Sequence, residues 1–321
     1  MAQLIGAIGS SHGPTIQSPV ESWARLADGD TRDPRFNYQR LLAAAKPGVE
    51  KELTIEVQRT RHTAARAALE TLTRYFQDAK PDVVLTISNA HRIRSAEPHP
   101  VFGILRAEAF PLQRQSSKRY DPDARFLPDE KRAAADDTIA ASGCAALANY
   151  LIEALIEDSF DIASIDRLPD GAVLDDAFSF AYDWLFGGEL VPMVPFLLSR
   201  DLPNQARPAR CYELGRALRR QIERCPLDLR VLLLASGGLS HQIVDEEFDH
   251  MVVNALVAGD AEAMRALPRQ RLNGGPGTPE VLNWVTVAAA MAPRRMTLVD
   301  YLPCYRSPAG TGHGLAFGYW T

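Results

Sequence analysis

Val231-Leu232-Leu233-Leu234-Ala235-Ser236-Gly237-Gly238-Leu239-Ser240-His241 is an apolar run that ends in a glycine pair and then a histidine. So short and so apolar a run reads as a strand buried on both faces, the kind that lies inside a parallel sheet. The glycines let the chain turn sharply as it leaves the strand. His241 is thereby delivered at a carboxyl strand end, where open α/β sheets bind their ligands.

The same grammar occurs twice more. Val83-Val84-Leu85-Thr86-Ile87 runs into Ser88-Asn89-Ala90-His91, and the strand-like residues 3–8 run into Gly9-Ser10-Ser11-His12-Gly13-Pro14. Of seven histidines in the chain, three therefore follow strand-like runs directly, which points to one shared site rather than scattered structural histidines. Further strands are predicted at 101–105, 161–165, 191–197, 297–302 and 315–319. Helical periodicity covers 54–77, 132–157, 175–186, 207–224, 246–258 and 279–292. This alternation predicts an α/β fold: a mixed central sheet with helices on both faces and a metal site at the carboxyl ends of its strands. Residues 16–51 and 106–130, rich in Pro, Asp, Arg and Ser, read as long loops that either cover a site or make surface excursions.

Composition narrows the class. With 321 residues, 46% hydrophobic, 23% charged and a formal net charge of -5, the chain reads as one globular domain over 1–321 with no basic excess for nucleic acid. Its apolar runs are shorter than a membrane span needs and its start lacks the pattern of a secretory leader, so a cytoplasmic protein is expected. A homo-oligomer is left open. Cys144, Cys211, Cys225 and Cys304 form no C-x-x-C pair, so any metal would be held by nitrogen and oxygen.

A carboxylate is harder to single out. Glu280 follows Thr278-Pro279, which resembles an N-cap and an N1 proline, and an acid there favours the helix dipole whatever else it does. Two imidazoles and one carboxylate are also the facial set that leaves iron positions open for substrate and oxygen. Among the other histidines, His62, His99 and His250 read as surface or packing residues, and His313 either lines a pocket or closes a turn. Arg92 and Arg94 read as solvated surface charges or as attraction for an anionic substrate.

Ser10-Ser11-His12-Gly13-Pro14, Asn89-Ala90-His91, Gly237-Gly238-Leu239-Ser240-His241-Gln242 and Glu280-Val281-Leu282-Asn283-Trp284 resemble, in order and over nearly the whole chain, the signature segments of class III extradiol ring-cleavage dioxygenases. That family includes the catalytic beta subunit of protocatechuate 4,5-dioxygenase and the gallate and 3-O-methylgallate dioxygenases. The resemblance implies Fe(II) held by His12, His91 and Glu280, with His241 as the unligated acid/base. It implies an aromatic dihydroxy substrate and O2 as partners. The chain departs from the pattern at Asp170, in Leu168-Pro169-Asp170-Gly171, where many members place a histidine; a carboxylate there could contact a substrate hydroxyl. Ala90 also stands where an acidic residue is common.

Two other classes use the same residues. A zinc hydrolase could activate water on a His-His-Glu site with an open position, and a non-catalytic binding protein could keep the fold without the reaction.

Overall fold

A computed structural model describes residues 1–89, 100–114 and 137–321. His91, Arg92, Arg94 and His99 lie outside the described residues, as does most of the segment 106–130.

Eleven strands and eleven α-helices are described, numbered here in chain order. The strands are β1 (Gln3–Ser10), β2 (Val83–Ser88), β3 (Phe102–Leu105), β4 (Ala109–Arg114), β5 (Asp137–Ser142), β6 (Ile162–Ile165), β7 (Met193–Leu198), β8 (Arg230–Ser236), β9 (His241–Ile243), β10 (Thr297–Tyr305) and β11 (Thr311–Trp320). The helices are α1 (Pro14–Gln17), α2 (Trp23–Asp30), α3 (Tyr38–Ala43), α4 (Ile55–Ala79), α5 (Ala145–Glu157), α6 (Asp176–Phe180), α7 (Pro208–Arg224), α8 (Glu246–Ala258), α9 (Ala261–Arg265), α10 (Arg269–Leu272) and α11 (Val281–Met291).

The main sheet is mixed, with order β10-β11-β1-β8-β2-β7-β3-β6, and β9 pairs with β11. Its centre, β1, β8, β2 and β7, is parallel. Strands β11 and β3 run antiparallel to it on either side, and β6 follows β3. The central strands read as continuous apolar runs because each face carries its own core. Val83, Leu85 and Ile87 point with Val231, Leu233 and Ala235 into a cluster built with α5, α7, α8 and α11. Val84, Leu232 and Leu234 point the other way, toward Trp23, Leu72 and Phe76 from α2 and α4. Period-two alternation therefore distributes one apolar run between two layers.

Local chemistry ends the helices where the sequence suggests. Thr54 caps α4 by accepting from the Val57 N–H, and Asp245 caps α8 by accepting from the Phe248 N–H. Gly259, at φ 66°, closes α8 in the left-handed conformation that glycine adopts without penalty. Helices α7 and α11 meet at Gly215, where an added Cβ would lie 2.0 Å from the Thr286 carbonyl oxygen.

All eight strands expected from the sequence form. Three expectations are corrected. Residues 16–51 are not one long loop: they contain α2, α3 and two 3-10 turns, Val20–Ser22 and Val49–Leu53. Val20, Trp23 and Leu26 recur every third residue and are buried, an apolar stripe concealed among Pro, Asp and Arg. The helix expected over 132–157 begins only at Ala145, since Asp137–Ser142 is a strand paired antiparallel with β4. Gly143 makes the break, its N–H donating to the Glu108 carbonyl at 2.8 Å. Residues 109–114 of the second expected loop are likewise β4. Among the described residues, no helix is long and apolar enough to cross a membrane.

Candidate functional site

The turn after β1 is tied into the sheet on both sides. The Ser11 N–H donates to the Ala316 carbonyl at 3.1 Å, and the Ala316 N–H donates back to Ser11 Oγ at 2.9 Å. Gln17 Nε2 donates to the His12 carbonyl, so the His12 main chain is held as well. The His12 ring is buried, with Nδ1 3.0 Å from Ser236 Oγ. Ser236 Oγ spends its only proton on the Ala177 carbonyl, 2.6 Å away. It can therefore only accept from His12, which fixes the Nδ1–H tautomer and leaves the ring's lone pair on Nε2.

The turn after β8 carries the second half of the site. Gly237, at φ 145°, allows the close approach of Glu280, whose Cβ would lie 2.7 Å from an added Gly237 Cβ. The Gly238 N–H donates to Glu280 Oε2 at 2.8 Å, and Glu280 is fully buried. Arg200, just beyond β7, brings Nη1 to 3.6 Å from Glu280 Oε1. Behind the turn, Asn283 Nδ2 donates to the Ser236 carbonyl at 2.8 Å and to Asn89 Oδ1 at 3.0 Å, and Trp284 Nε1 donates to the Gly237 carbonyl at 2.9 Å. The first turns of α11 thus fasten the ends of β8 and β2 together.

His241 opens β9. Its N–H donates to Thr278 Oγ1 at 3.1 Å, and its Nδ1 lies 3.3 Å from Glu280 Oε2. The ring stands edge-on to His313, with centroids 4.4 Å apart and planes at 89°. His313 in turn brings Nδ1 to 3.1 Å from Thr15 Oγ1. Gly277 passes so close to the His241 ring that an added Cβ would sit 2.5 Å from Cγ.

His12, His241 and Glu280, picked out from sequence, thus converge on the Ser236–Gly238 turn, and His313 joins them. Asn89 is anchored by its Nδ2 to the Leu198 carbonyl at 2.6 Å; His91, two residues on, lies outside the described residues. Asp170 is exposed, in a turn closed by the Ala172 N–H on the Pro169 carbonyl at 2.9 Å. His62 meets Trp23 edge-on and His250 meets Tyr301, both away from the Ser236–Gly238 turn. Arg200, Thr15, Ser236 and Asn283 were not foreseen. Of these Ser236 and Asn283 carried a signal, Ser236 by its place at the end of the quoted strand and Asn283 by its place in the Glu280–Trp284 segment.

Two of the resemblance's three metal donors are therefore described. Both fit a cation: His12 by its tautomer, Glu280 by its burial as a carboxylate beside a main-chain donor. Among the described residues, His, Cys, Asp and Glu form no group of three or more that could hold a metal ion by themselves. A cavity of about 810 Å3 opens elsewhere, between Phe102, Phe160, Pro203 and Arg210.

Comparison with known proteins adds an independent line. The family described as the catalytic LigB subunit of aromatic ring-opening dioxygenase matches residues 52–311. A gallate dioxygenase from Pseudomonas putida is 30% identical over 165 residues, covering 47% of this chain and 46% of that protein. Two proteins called 2,3-dihydroxyphenylpropionate/2,3-dihydroxicinnamic acid 1,2-dioxygenase also match. The one from Comamonas testosteroni is 38% identical over 99 residues, covering 30% of this chain and 29% of that protein. The one from Paraburkholderia phymatum is 28% identical over 193 residues, covering 58% of each. The matches thus span about half, or less, of the first two relatives and somewhat more of the third.

Proposed function

Since the chain belongs to the family of catalytic LigB subunits of aromatic ring-opening dioxygenases, we propose that it opens the ring of a catechol-type aromatic acid, of the gallate, 3-O-methylgallate or protocatechuate class, with both atoms of O2. The observation that carries this reading is the convergence of His12, His241 and Glu280 on one buried turn, with the His12 tautomer set by Ser236.

His12, His91 and Glu280 would hold Fe(II). Bound there, Fe(II) would supply open positions for substrate and oxygen, as a 2-His-1-carboxylate set leaves them. The protein's own part is positional and protonic. Ser236 fixes the His12 ring, which keeps a ligand imidazole from rotating away. Gly238 holds the Glu280 carboxylate by a main-chain N–H that needs no reorganisation. His241 has Nδ1 beside Glu280 Oε2, so the carboxylate's charge favours the Nδ1–H tautomer and leaves Nε2 to take a proton from a substrate hydroxyl and return it during ring opening. The His313 edge restricts the His241 ring to that orientation. Arg200 places a positive charge against the site, which suits an acid substrate.

The test is oxygen uptake by anaerobically Fe(II)-loaded protein offered gallate, 3-O-methylgallate, protocatechuate and unsubstituted catechol, with His12→Ala and Glu280→Ala as controls. One O2 consumed per ring, with a ring-opened chromophore that both controls lose, is the expected result. Protein that holds iron and opens none of these rings would count against the reading. Retention of zinc instead, with hydrolytic activity, would replace it.

A further inference from the structure

One buried acid has no part in the chemistry above. Asp249 lies on α8, fully buried, and its carboxylate receives three hydrogen bonds: the Ser240 N–H reaches Oδ1 at 2.7 Å, Ser240 Oγ reaches Oδ2 at 2.6 Å, and Tyr301 Oη reaches Oδ2 at 2.7 Å. It also lies flat against Gly314, where an added Cβ would be 2.0 Å from Oδ2. Ser240 and Gly314 are the neighbours of His241 and His313, which face each other across the β9–β11 ladder. The Gly314 N–H closes the same rung on the Ser240 carbonyl at 2.8 Å, and the Leu239 N–H reaches the Gly314 carbonyl at 3.1 Å. One carboxylate therefore underlies both peptides that carry the paired imidazoles.

We propose that Asp249 is a positioning residue, its ionised carboxylate holding the Ser240–His241 and His313–Gly314 peptides in the arrangement that sets His241 across His313 and beside Glu280. The catalytic part of this inference rests on His241 acting as the acid/base; the geometric part does not.

A carboxylate with three donors aimed at it is best matched in its ionised form, because the charge strengthens every one of those bonds. Three of its four lone-pair sites are filled, and a proton entering the fourth, on Oδ1, removes the charge that holds Ser240 and Tyr301 in place. Burial pushes the Asp249 carboxyl up from its ordinary 3.8 to about 6, against the lowering effect of the Ser240 and Tyr301 hydrogen bonds. Asp245, one turn earlier, adds to the rise, although Arg271 pairs with it at 2.6 Å. Tyr301 is held in its protonated, donating form by burial and by the Asp249 charge. Glu246, beyond it, is taken up by Tyr305 Oη at 2.6 Å, and His250 packs its ring against Tyr301. As pH falls through about 6 the clamp is protonated and loosens, so turnover should have an acid limb there. Removing the Tyr301 hydroxyl takes away a bond that stabilises the ionised form, which moves that limb to higher pH.

The test compares wild type, Asp249→Asn and Tyr301→Phe, each loaded with Fe(II) and measured for bound iron, kcat and KM across pH. The histidine ring resonances are also recorded in 15N-labelled protein and assigned with His241→Gln and His313→Gln. We expect Asp249→Asn to keep its iron and lose about ten- to a hundredfold in kcat, with KM changed far less. It should shift the ring resonances of His241 and His313 and leave the other histidines in place. Tyr301→Phe should move the acid limb upward, which a purely structural role would not do. Unchanged kcat in Asp249→Asn, together with an unmoved limb in Tyr301→Phe, overturns the proposal. Should Asp249→Asn fail to fold, Tyr301→Phe decides alone. If wild type opens no ring, the resonances decide: a shift confined to the two histidines upholds the clamp while the ring-opening reading falls, and no shift sinks the clamp.

Discussion

His12 and His241 leave adjacent parallel strands by glycine-containing turns, yet the protein grips their rings differently. His12 is fixed at the ring, Nδ1 on Ser236 Oγ. His241 is fixed at the main chain, its N–H on Thr278 Oγ1, while its ring packs against Glu280, His313 and the Gly277 backbone. The difference suits the two jobs proposed for them. A metal ligand must present one nitrogen in one direction throughout turnover, and a hydrogen bond to the other nitrogen does this. A proton carrier must change its protonation, and often its hydrogen-bond partner, within a cycle, so it is better anchored through its backbone.

The comparison can be broken most severely through Glu280, which lies beside His241 and would share a metal with His12. Glu280→Gln keeps the shape but removes the charge that faces Arg200 and His241. Iron affinity should fall by more than the roughly hundredfold associated with outer contacts, and ring opening should fall below detection. Bound iron by metal analysis and oxygen uptake check this. Next in size is His241→Gln. If His241 carries protons and binds no metal, iron content stays at the wild-type level while kcat drops by about 10²- to 10⁴-fold. A variant that lost iron in step with activity would make His241 a ligand and erase the contrast with His12.

Ser236→Ala separates the two grips. It removes the acceptor for the His12 Nδ1–H and the donor to the Ala177 carbonyl at once. Iron affinity should weaken by about 10- to 100-fold, and kcat at saturating iron should change much less. The Ala177 carbonyl loses the Ser236 donor, so the unfolding free energy should also fall, by about 0.5–1.5 kcal/mol. Iron titrations paired with thermal unfolding read both effects.

How much of this was legible in the sequence depended on how far apart the interacting residues lie. The central strands were legible because burial on two faces writes a continuous apolar run, and His12 and His241 stood out because each follows such a run. The β4–β5 hairpin was not, since Pro111 interrupts one strand and the partner strand lies beyond a polar stretch. Arg200 and Thr15 carry no local pattern at all: Thr15 meets His313 across 298 positions, and Arg200 meets Glu280 only because β7 ends on the same edge as β8. Asp170 shows the opposite risk. It was selected by comparison with a family motif, yet it follows β6, which runs antiparallel to the strands that deliver His12 and His241, and its side chain is exposed.

The smallest expected effect is also the sharpest on the main-chain side of the comparison. Thr278→Val is nearly isosteric and leaves Glu280 in the same 3-10 turn, but takes away the oxygen that receives the His241 N–H. The buried N–H then lacks that acceptor, at a cost of about 1–3 kcal/mol in unfolding free energy. Because only the backbone anchor is loosened, the His241 ring should sample more orientations against His313 and Glu280. That lowers the fraction of time spent ready to take a proton, so kcat should fall severalfold while iron affinity stays at the wild-type value. Ser236→Ala is expected to do the reverse. If both variants instead lost iron and kcat together, the two grips would be one mechanical unit, and the assignment of a ligand ring fixed by its own hydrogen bond beside a proton-carrying ring anchored through its backbone would have to be withdrawn.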